Sequence, residues 1–171
     1  IMEQIGKPVR TIFDNLVPEL SPSERQELSN AILQGLVARI DEGQGEYYEG
    51  ISQTIHSLAQ SGKKIFAASN GRRAYVEAIL RSAGILKDFA EVPVLDYETI
   101  HTKEELVQKT MEKHGLNPSQ CVMIGDRESD RQAALKNGVA YVACAYGHGD
   151  ADEHRDAIRV VQSPKDLLFL I

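Results

Sequence analysis

The stretch CVMIGDRESD, residues 121–130, decides the fold class of this 171-residue chain. Its first four residues form an apolar run of strand length, a polar turn follows, and a helical pattern comes next. The stretch IFAASN, residues 65–70, has the same order, and further apolar runs lie at residues 91–95 and 139–145. Strands that alternate with helices predict an α/β fold, a Rossmann-like parallel sheet with helices on both faces.

The first part of the chain has a different pattern, which is helical and contains no strand. Ser21-Pro22-Ser23-Glu24 is a capping box with proline at the first helical position, and it precedes an amphipathic stretch that stops near residues 42–45. A further helix ends at Ser61-Gly62, where the glycine is a natural C-terminal cap. We therefore expect a small helical unit at residues 1–47 and an α/β core at residues 48–171.

The composition narrows the class of protein and its location. A net charge of −6 argues against a nucleic-acid binder, because phosphate contacts need a basic face. No apolar run has membrane-spanning length, and residues 1–8 do not resemble a secretion signal. Cys121 and Cys144 lie inside apolar runs, which is typical of buried thiols and not of a disulfide. These features predict a cytoplasmic protein, and the first residue, Ile1, suggests that a further N-terminal piece precedes it.

Polar side chains follow one of the predicted strands directly. Ligands of open α/β sheets bind beyond the carboxyl ends of the strands, so these positions are candidates for a site. Ser69-Asn70-Gly71 lies between a strand and a helix, where backbone N–H groups and the helix dipole favour an anion. Taken alone, Ser69 or Asn70 is more typical of an ordinary helix N-cap.

A second strand end carries two carboxylates. Asp126 and Asp130 are four residues apart across a strand-to-helix turn, so both can face one point and supply the oxygen ligands that Mg²⁺ prefers. The alternative is that Asp126 caps the helix and Asp130 is a solvated surface carboxylate. Lys103 follows the start of the capping box Thr102–Glu105, and a lysine beside such carboxylates neutralises charge on a transferring phosphoryl group. A lone lysine is otherwise most often solvated.

In this order and spacing, the candidate residues resemble the last three of the four motifs of the haloacid dehalogenase superfamily, of the phosphoglycolate-phosphatase-like kind. Ser69 matches the second motif, Lys103 the third, and Asp126 with Asp130 the fourth. Three further stretches are similar to family elements: Gly6-Lys7-Pro8 of the helical cap, Tyr48-Glu49-Gly50-Ile51 of the cap-to-core link with Glu49 in place of proline, and the aromatic-Gly-x-Gly stretch at residues 145–149.

The resemblance implies Mg²⁺-dependent hydrolysis of a small phosphorylated metabolite through an aspartyl-phosphate, with residues 1–47 as part of the cap. It implies that Ser69, Asn70 and Gly71 bind the phosphoryl group, and that Lys103 holds the charges of nucleophile and phosphate together. Asp126 would bind Mg²⁺ directly, and Asp130 would bind it or orient its water shell. Phosphoglycolate, a sugar phosphate, a nucleoside monophosphate and pyrophosphate all remain open as substrates, and so does a homodimer.

The first motif of the family, Asp-x-Asp-x-Thr, carries the nucleophile and lies ahead of the cap, so here it is expected before Ile1. The nearest likeness, residues 11–16, has Leu16 at the second aspartate, and we interpret Asp14 as an ordinary helix or turn residue. We therefore expect residues 1–171 alone to lack phosphatase activity. The alternative is a natural pseudo-phosphatase that binds a phosphate ligand or regulates a partner. A nucleotide-binding Rossmann module would need Gly-x-Gly-x-x-Gly, which the chain lacks.

The resemblance also makes a prediction about the sheet. The strand with the first motif is expected between the strands at residues 64–68 and 121–124, which should then lie roughly 10 Å apart without pairing. Another segment or chain should fill the space between these two strands, because unpaired backbone groups inside a core are costly. Direct pairing of the two strands would favour the pseudo-phosphatase.

Overall fold

The computed structural model describes residues 4–170, in which six α-helices and five β-strands alternate after an all-helical beginning. Residues 1–3 and 171, the outer ends of the two expected units, lie outside the described residues. The helices are Val9–Leu16 (α1), Pro22–Asp41 (α2), Ile51–Gln60 (α3), Arg73–Ser82 (α4), Lys103–His114 (α5) and Glu128–Asn137 (α6). The strands are Ile65–Phe66 (β1), Phe89–Glu91 (β2), Val122–Gly125 (β3), Ala140–Cys144 (β4) and Arg159–Val161 (β5).

All strand pairs are parallel, as predicted, but they form two separate ladders. One ladder contains β1 and β2, and the other has the order β3-β4-β5. Within residues 4–170 no pairing joins β1 to β3, so the prediction that these two strands are not direct neighbours is confirmed. The distance between the two strands, and the strand that would lie between them, stay predictions.

Three strands differ from the sequence prediction. β1 covers only two residues, with a register shift between them, although the backbone of Ser69 still bridges Val94. β2 begins at Phe89, two residues before the predicted start. β5 was not predicted, because it is three residues long and two of them are exposed, so it shows no apolar run. β5 is followed by a 3₁₀ segment, Pro164–Phe169.

The capping boxes read from the sequence are present and fix two helix starts. Ser21 accepts the N–H of Glu24 at α2, and Thr102 Oγ1 accepts the N–H of Glu105 at 3.2 Å. The Glu105 carboxylate in turn accepts the N–H of Thr102 at 3.3 Å, which makes Lys103 the first residue of α5. A local signal in the sequence therefore places Lys103 at the first position of a helix.

The best-buried strand is β4, and alternate residues of it pack on opposite faces. Val142 and Cys144 join a cluster with the 3₁₀ segment on one face, whereas Tyr141 and Ala143 pack on Ala134 of α6 on the other. Cover on both faces is the arrangement expected of a parallel sheet. The helical beginning is attached through α2, which packs along α4. Among the described residues, no helix combines the length and apolar character needed to cross a membrane.

Candidate active site

The candidate residues from three separate parts of the sequence line one cavity of about 720 Å³. The cavity lies where β1 and β3 end, and its walls include all six residues proposed from the sequence: Ser69, Asn70, Gly71, Lys103, Asp126 and Asp130. The prediction that Ser69, Lys103, Asp126 and Asp130 lie in one pocket, made from their positions after strands or at helix starts, is confirmed. Their individual roles stay predictions.

Lys103 and Asp130 form a buried ion pair at the centre of this group. The distance from Lys103 Nζ to Asp130 Oδ1 is 2.7 Å, and the two side chains are 10% and 8% exposed. A cation in the first turn of a helix opposes the helix dipole, which favours anions there. The lysine at this position is therefore explained by its partner in the site and not by the stability of α5.

Asp130 is tied to its own loop as well as to Lys103. Its Oδ2 accepts the backbone N–H groups of Asp126 at 3.2 Å and Arg127 at 3.0 Å. A side chain at Gly125 would overlap the Asp130 carboxylate, so this turn needs glycine for the close approach. The alternative interpretation of Asp130 as a solvated surface carboxylate is wrong, since the residue is 6% exposed and caps α6 from inside the first turn.

Asp126 has a different environment. Its Oδ2 accepts the N–H of His148 at 2.6 Å, while its other carboxylate oxygen has no hydrogen-bond partner among residues 4–170. A Cβ at Gly147 would overlap the Asp126 side chain, and one at Gly149 would overlap the Asp126 carbonyl oxygen. The glycine-rich stretch after β4 therefore does more than turn the chain, because only residues without a side chain let it pack on Asp126 this closely.

Ser69, Asn70 and Gly71 form a tight turn at the end of β1. Ser69 Oγ accepts the N–H of Gly71 at 3.0 Å, so this backbone donor is already bonded. The hydroxyl proton of Ser69 has no acceptor within the part of the chain that the structure describes, so it can be donated to a ligand. Asn70 is buried, and its Nδ2 donates to the carbonyl of Gly6 at 2.8 Å. The Oδ1 of Asn70 is buried without a hydrogen-bond partner in the described chain.

Arg127 and Glu153 connect the Asp126 loop with two other segments. Arg127 Nε donates to Glu153 Oε1 at 3.0 Å, and its Nη1 donates to the carbonyl of Ile5 at 2.6 Å. Burial raises the pKa of Glu153, but hydrogen bonds from the Glu128 N–H, Arg127 and the Asp150 N–H outweigh it and lower this pKa below its ordinary value. The carboxylate of Glu153 is therefore charged at neutral pH. No motif in the sequence indicated Glu153 as a site residue.

Two tyrosines flank the Asp126 side of the site. The ring centroids of Tyr48 and Tyr146 are 4.9 Å apart at 68°, an edge-to-face contact between the two stretches that resembled the cap-to-core link and the aromatic-Gly-x-Gly element. Burial raises the pKa of the Tyr48 hydroxyl, and the nearby charge of Asp126 adds to the effect. Burial also raises the pKa of Tyr146, so both phenols are neutral at physiological pH.

The remaining wall of the cavity is apolar and comes from the helical beginning of the chain. Leu16, Ile32 and Leu36 are 42% to 47% exposed and face this space together with other side chains of α1 and α2. Asp14 lies within α1 and pairs with Arg25 of α2, so its interpretation as an ordinary helix residue is confirmed. The cavity thus has a charged end formed by the core and an apolar end formed by the two helices.

Two curated proteins and one solved structure illustrate what the chain is similar to. The 5'-nucleotidase of Pseudomonas aeruginosa is 30% identical over 109 residues, 63% of this chain and 49% of that protein. The phosphoglycolate phosphatase of Vibrio parahaemolyticus is 30% identical over 129 residues, 72% of this chain and 56% of that protein. The chain spans about half the length of these relatives.

The fold is shared with a hydrolase from Pseudomonas syringae, with a TM-score of 0.80 at 21% identity over 99% of this chain and 80% of that one. The family described as haloacid dehalogenase-like hydrolase matches residues 1–144, which is most of the chain. The chain belongs to the haloacid dehalogenase-like hydrolase family.

Proposed function

We propose that this chain supplies most of the active site of a Mg²⁺-dependent phosphatase that hydrolyses a small phosphomonoester. The observation that carries the proposal is the convergence of Ser69, Lys103, Asp126 and Asp130 around one cavity, with Lys103 fixed at 2.7 Å from Asp130. The names of two relatives, a 5'-nucleotidase and a phosphoglycolate phosphatase, support hydrolysis of a phosphomonoester. Because the two names differ in substrate, they do not identify the alcohol that is released here.

Each polar residue has a role in this proposal that its contacts support. The free hydroxyl proton of Ser69 is available to a phosphoryl oxygen, whereas Gly71 offers its backbone N–H only if the bond to Ser69 opens. Asn70 orders the turn through Gly6, and its unpartnered Oδ1 is available to a group in the cavity. Lys103, held by Asp130, neutralises the charge that accumulates between nucleophile and phosphoryl group.

The donor set fits Mg²⁺ in a site that takes few protein ligands. Asp126 presents one carboxylate oxygen without a hydrogen-bond partner in residues 4–170, which suits a hard cation that keeps several waters. Asp130 has both oxygens engaged by Lys103 and by backbone N–H groups, so it orients the loop and the water shell. Groups of three or more metal-binding side chains do not occur in the described part of the chain, so further ligands would come from the first motif and the substrate. When bound, Mg²⁺ supplies charge neutralisation for the phosphoryl oxygens.

The family resemblance assigns the nucleophile to the first aspartate of Asp-x-Asp-x-Thr, and residues 1–171 contain no such sequence. In the complete protein, that aspartate would attack phosphorus, the substrate alkoxide would leave with a proton from the second aspartate, and water would hydrolyse the aspartyl-phosphate. We accordingly propose that residues 1–171 alone do not turn over substrate. The lack of direct pairing between β1 and β3 supports this enzyme over a pseudo-phosphatase, for which a closed sheet would be expected.

The helical beginning of the chain, residues 1–47, is proposed to be part of the cap that covers the cavity and chooses the substrate. The apolar side chains that α1 and α2 direct to the cavity support this role. The cytoplasmic location stays a prediction, and the number of subunits, including a homodimer, stays open until sedimentation of the complete protein decides it.

The test is hydrolysis of p-nitrophenyl phosphate by the complete protein, with and without Mg²⁺, beside residues 1–171 alone. Activity should need Mg²⁺, and Asp126→Asn or Lys103→Met should each lower kcat by about 100-fold or more. Asp41→Asn, which removes only an exposed pair with Arg81, is the matched control and should leave kcat unchanged. Robust hydrolysis by residues 1–171 that Asp126→Asn abolishes would show that this chain contains its own nucleophile and would refute the proposal.

A further inference from the structure

We propose that Glu153 is a positioning residue that holds the Asp126 loop in the conformation needed for cation binding; this inference rests on the proposed function. Glu153 lies 27 residues after Asp126, beyond β4, and belongs to no motif identified in the sequence. Its side chain is 17% exposed and makes three hydrogen bonds, two of them to the residues directly after Asp126.

The backbone N–H groups at the start of α6 donate hydrogen bonds to side chains. The N-terminal N–H groups of a helix need acceptors from outside the helix. Asp130 accepts that of the N-cap residue Arg127, as well as the N–H of Asp126 just before the helix, and Glu153 Oε1 accepts that of Glu128 at 2.9 Å. Glu153 therefore contributes to the cap of α6 from a distant segment, and the same oxygen accepts a hydrogen bond from Arg127 Nε at 3.0 Å.

The same distant segment also holds Asp126 directly. His148 donates its N–H to Asp126 Oδ2 at 2.6 Å, and Gly149 packs against the carbonyl oxygen of Asp126. Residues 147–153, here called the clamp segment, thus contact the loop at two places, at Asp126 and at the pair Arg127–Glu128. Two attachments fix the rotation of the loop as well as its position, which one attachment would not do.

The clamp segment has its own internal order, so it acts as a rigid support. Asp150 Oδ1 accepts the N–H groups of Asp152 at 2.9 Å and Glu153 at 3.1 Å, a local turn that fixes the backbone of Glu153. Glu153 Oε2 accepts the N–H of Asp150 at 3.1 Å, which closes the turn. Both carboxylate oxygens of Glu153 are therefore in use, one toward the loop and one toward its own segment.

The chemistry of the side chain predicts a graded series of variants. Glu153→Ala removes all three acceptor contacts and leaves Arg127 without its carboxylate. Glu153→Gln keeps an oxygen that can accept from Glu128 and Arg127, but its NH₂ group cannot accept from Asp150. The Gln variant should therefore hold the loop better than the Ala variant and worse than glutamate.

The experiment uses Mn²⁺ as a paramagnetic probe of the Asp126 loop in the complete protein, which includes the first motif, and follows the broadening of assigned backbone amide signals. In the parent chain, Mn²⁺ should broaden the signals of residues 125–130 and 147–149 first, and Asp126→Asn should abolish this. Glu153→Ala should raise the Mn²⁺ concentration for half-broadening by about 10-fold, as loss of an outer-shell contact to a metal site does. Glu153→Gln should fall in between.

Two controls separate positioning from a general loss of stability or charge. Glu27→Gln removes an exposed glutamate of α2, and Ser21→Ala removes the cap of the same helix and costs about 1 kcal/mol of stability. Both should leave the Mn²⁺ titration unchanged. If Glu153→Ala fails to fold, Glu153→Gln alone carries the comparison, and parent-like half-broadening in it overturns the inference.

The outcomes distinguish this inference from the proposed function. Parent-like Mn²⁺ titration in both Glu153 variants, with Asp126→Asn still abolishing the effect, would overturn the positioning role and leave the metal site intact. Absence of any broadening around Asp126 in the parent chain would overturn the metal site itself and the inference that depends on it.

Discussion

Replacing Lys103 by methionine tests the arrangement at the centre of the site. The change keeps the length of the side chain but leaves the carboxylate of Asp130 without its cation, in a position where that carboxylate is 8% exposed. Removing one partner of a buried ion pair costs about 3–5 kcal/mol. Asp130 retains two backbone N–H donors, so we expect a loss near the lower limit, about 3 kcal/mol. For a chain of this size, that loss lowers the unfolding midpoint by about 6–12 °C.

Thermal unfolding followed by circular dichroism measures the effect, and a double-mutant cycle assigns it to the pair. Asp130→Asn alone leaves the lysine unpaired and should destabilise as well, whereas Lys103→Met with Asp130→Asn removes both charges. The double variant should be more stable than the sum of the two single effects predicts, with a coupling of about 2 kcal/mol. Lys63→Met, at an exposed lysine, is the control and should change stability by less than about 0.5 kcal/mol. Additive single effects, or a midpoint for Lys103→Met within the range of the control, would refute the reasoning.

Three further changes test other parts of the structure. Gly149→Ala places a Cβ on the carbonyl oxygen of Asp126. It should therefore lower the free energy of unfolding in urea by about 1–3 kcal/mol and weaken Mn²⁺ broadening of the Asp126 loop signals. Unchanged stability and unchanged broadening would contradict the close approach. Gly35→Ala, within α2 and with no atom near the added Cβ, should instead stabilise the chain by about 1 kcal/mol, and a loss would indicate a hidden contact. Hydrogen bonds from Arg131 lower the pKa of Glu128 from 4.5 to about 2, so its contribution to stability is present above pH 4.5 and lost as the pH falls toward 2. Glu128→Gln should therefore make stability fall less steeply between pH 4.5 and pH 2 in urea titrations, and an identical slope would rule out this pair as a source of acid sensitivity.

Much of the fold follows from signals that span seven residues or fewer. The capping boxes at Ser21 and Thr102 are present, and the apolar runs that predicted β3 and β4 are strands to within about one residue. The prediction was weakest at β1 and β5, where regular pairing covers two and three residues. Such short strands depend on neighbouring strands for their hydrogen bonds. The apolar run at β1 therefore marked the strand but not its length, and β5 has no apolar run that would mark it.

The sequence by itself indicated which residues could meet. Ser69, Asp126 and Asp130 follow strands whose carboxyl ends lie at one edge of a parallel sheet, and Lys103, at a helix start, was joined to them by the family resemblance; all four line one cavity. Only the tertiary structure decided which contacts each of these residues makes. Asp130 is the buried partner of Lys103, whereas Asp126 keeps one oxygen without a hydrogen-bond partner among residues 4–170, a distinction that the spacing of four residues does not contain. The support from Glu153 was equally invisible, since it reaches the loop across 25 and 26 residues of chain. Contacts between residues so far apart in sequence depend on how the strands and helices pack. Such packing has no local sequence pattern, so these contacts could not be predicted from the sequence.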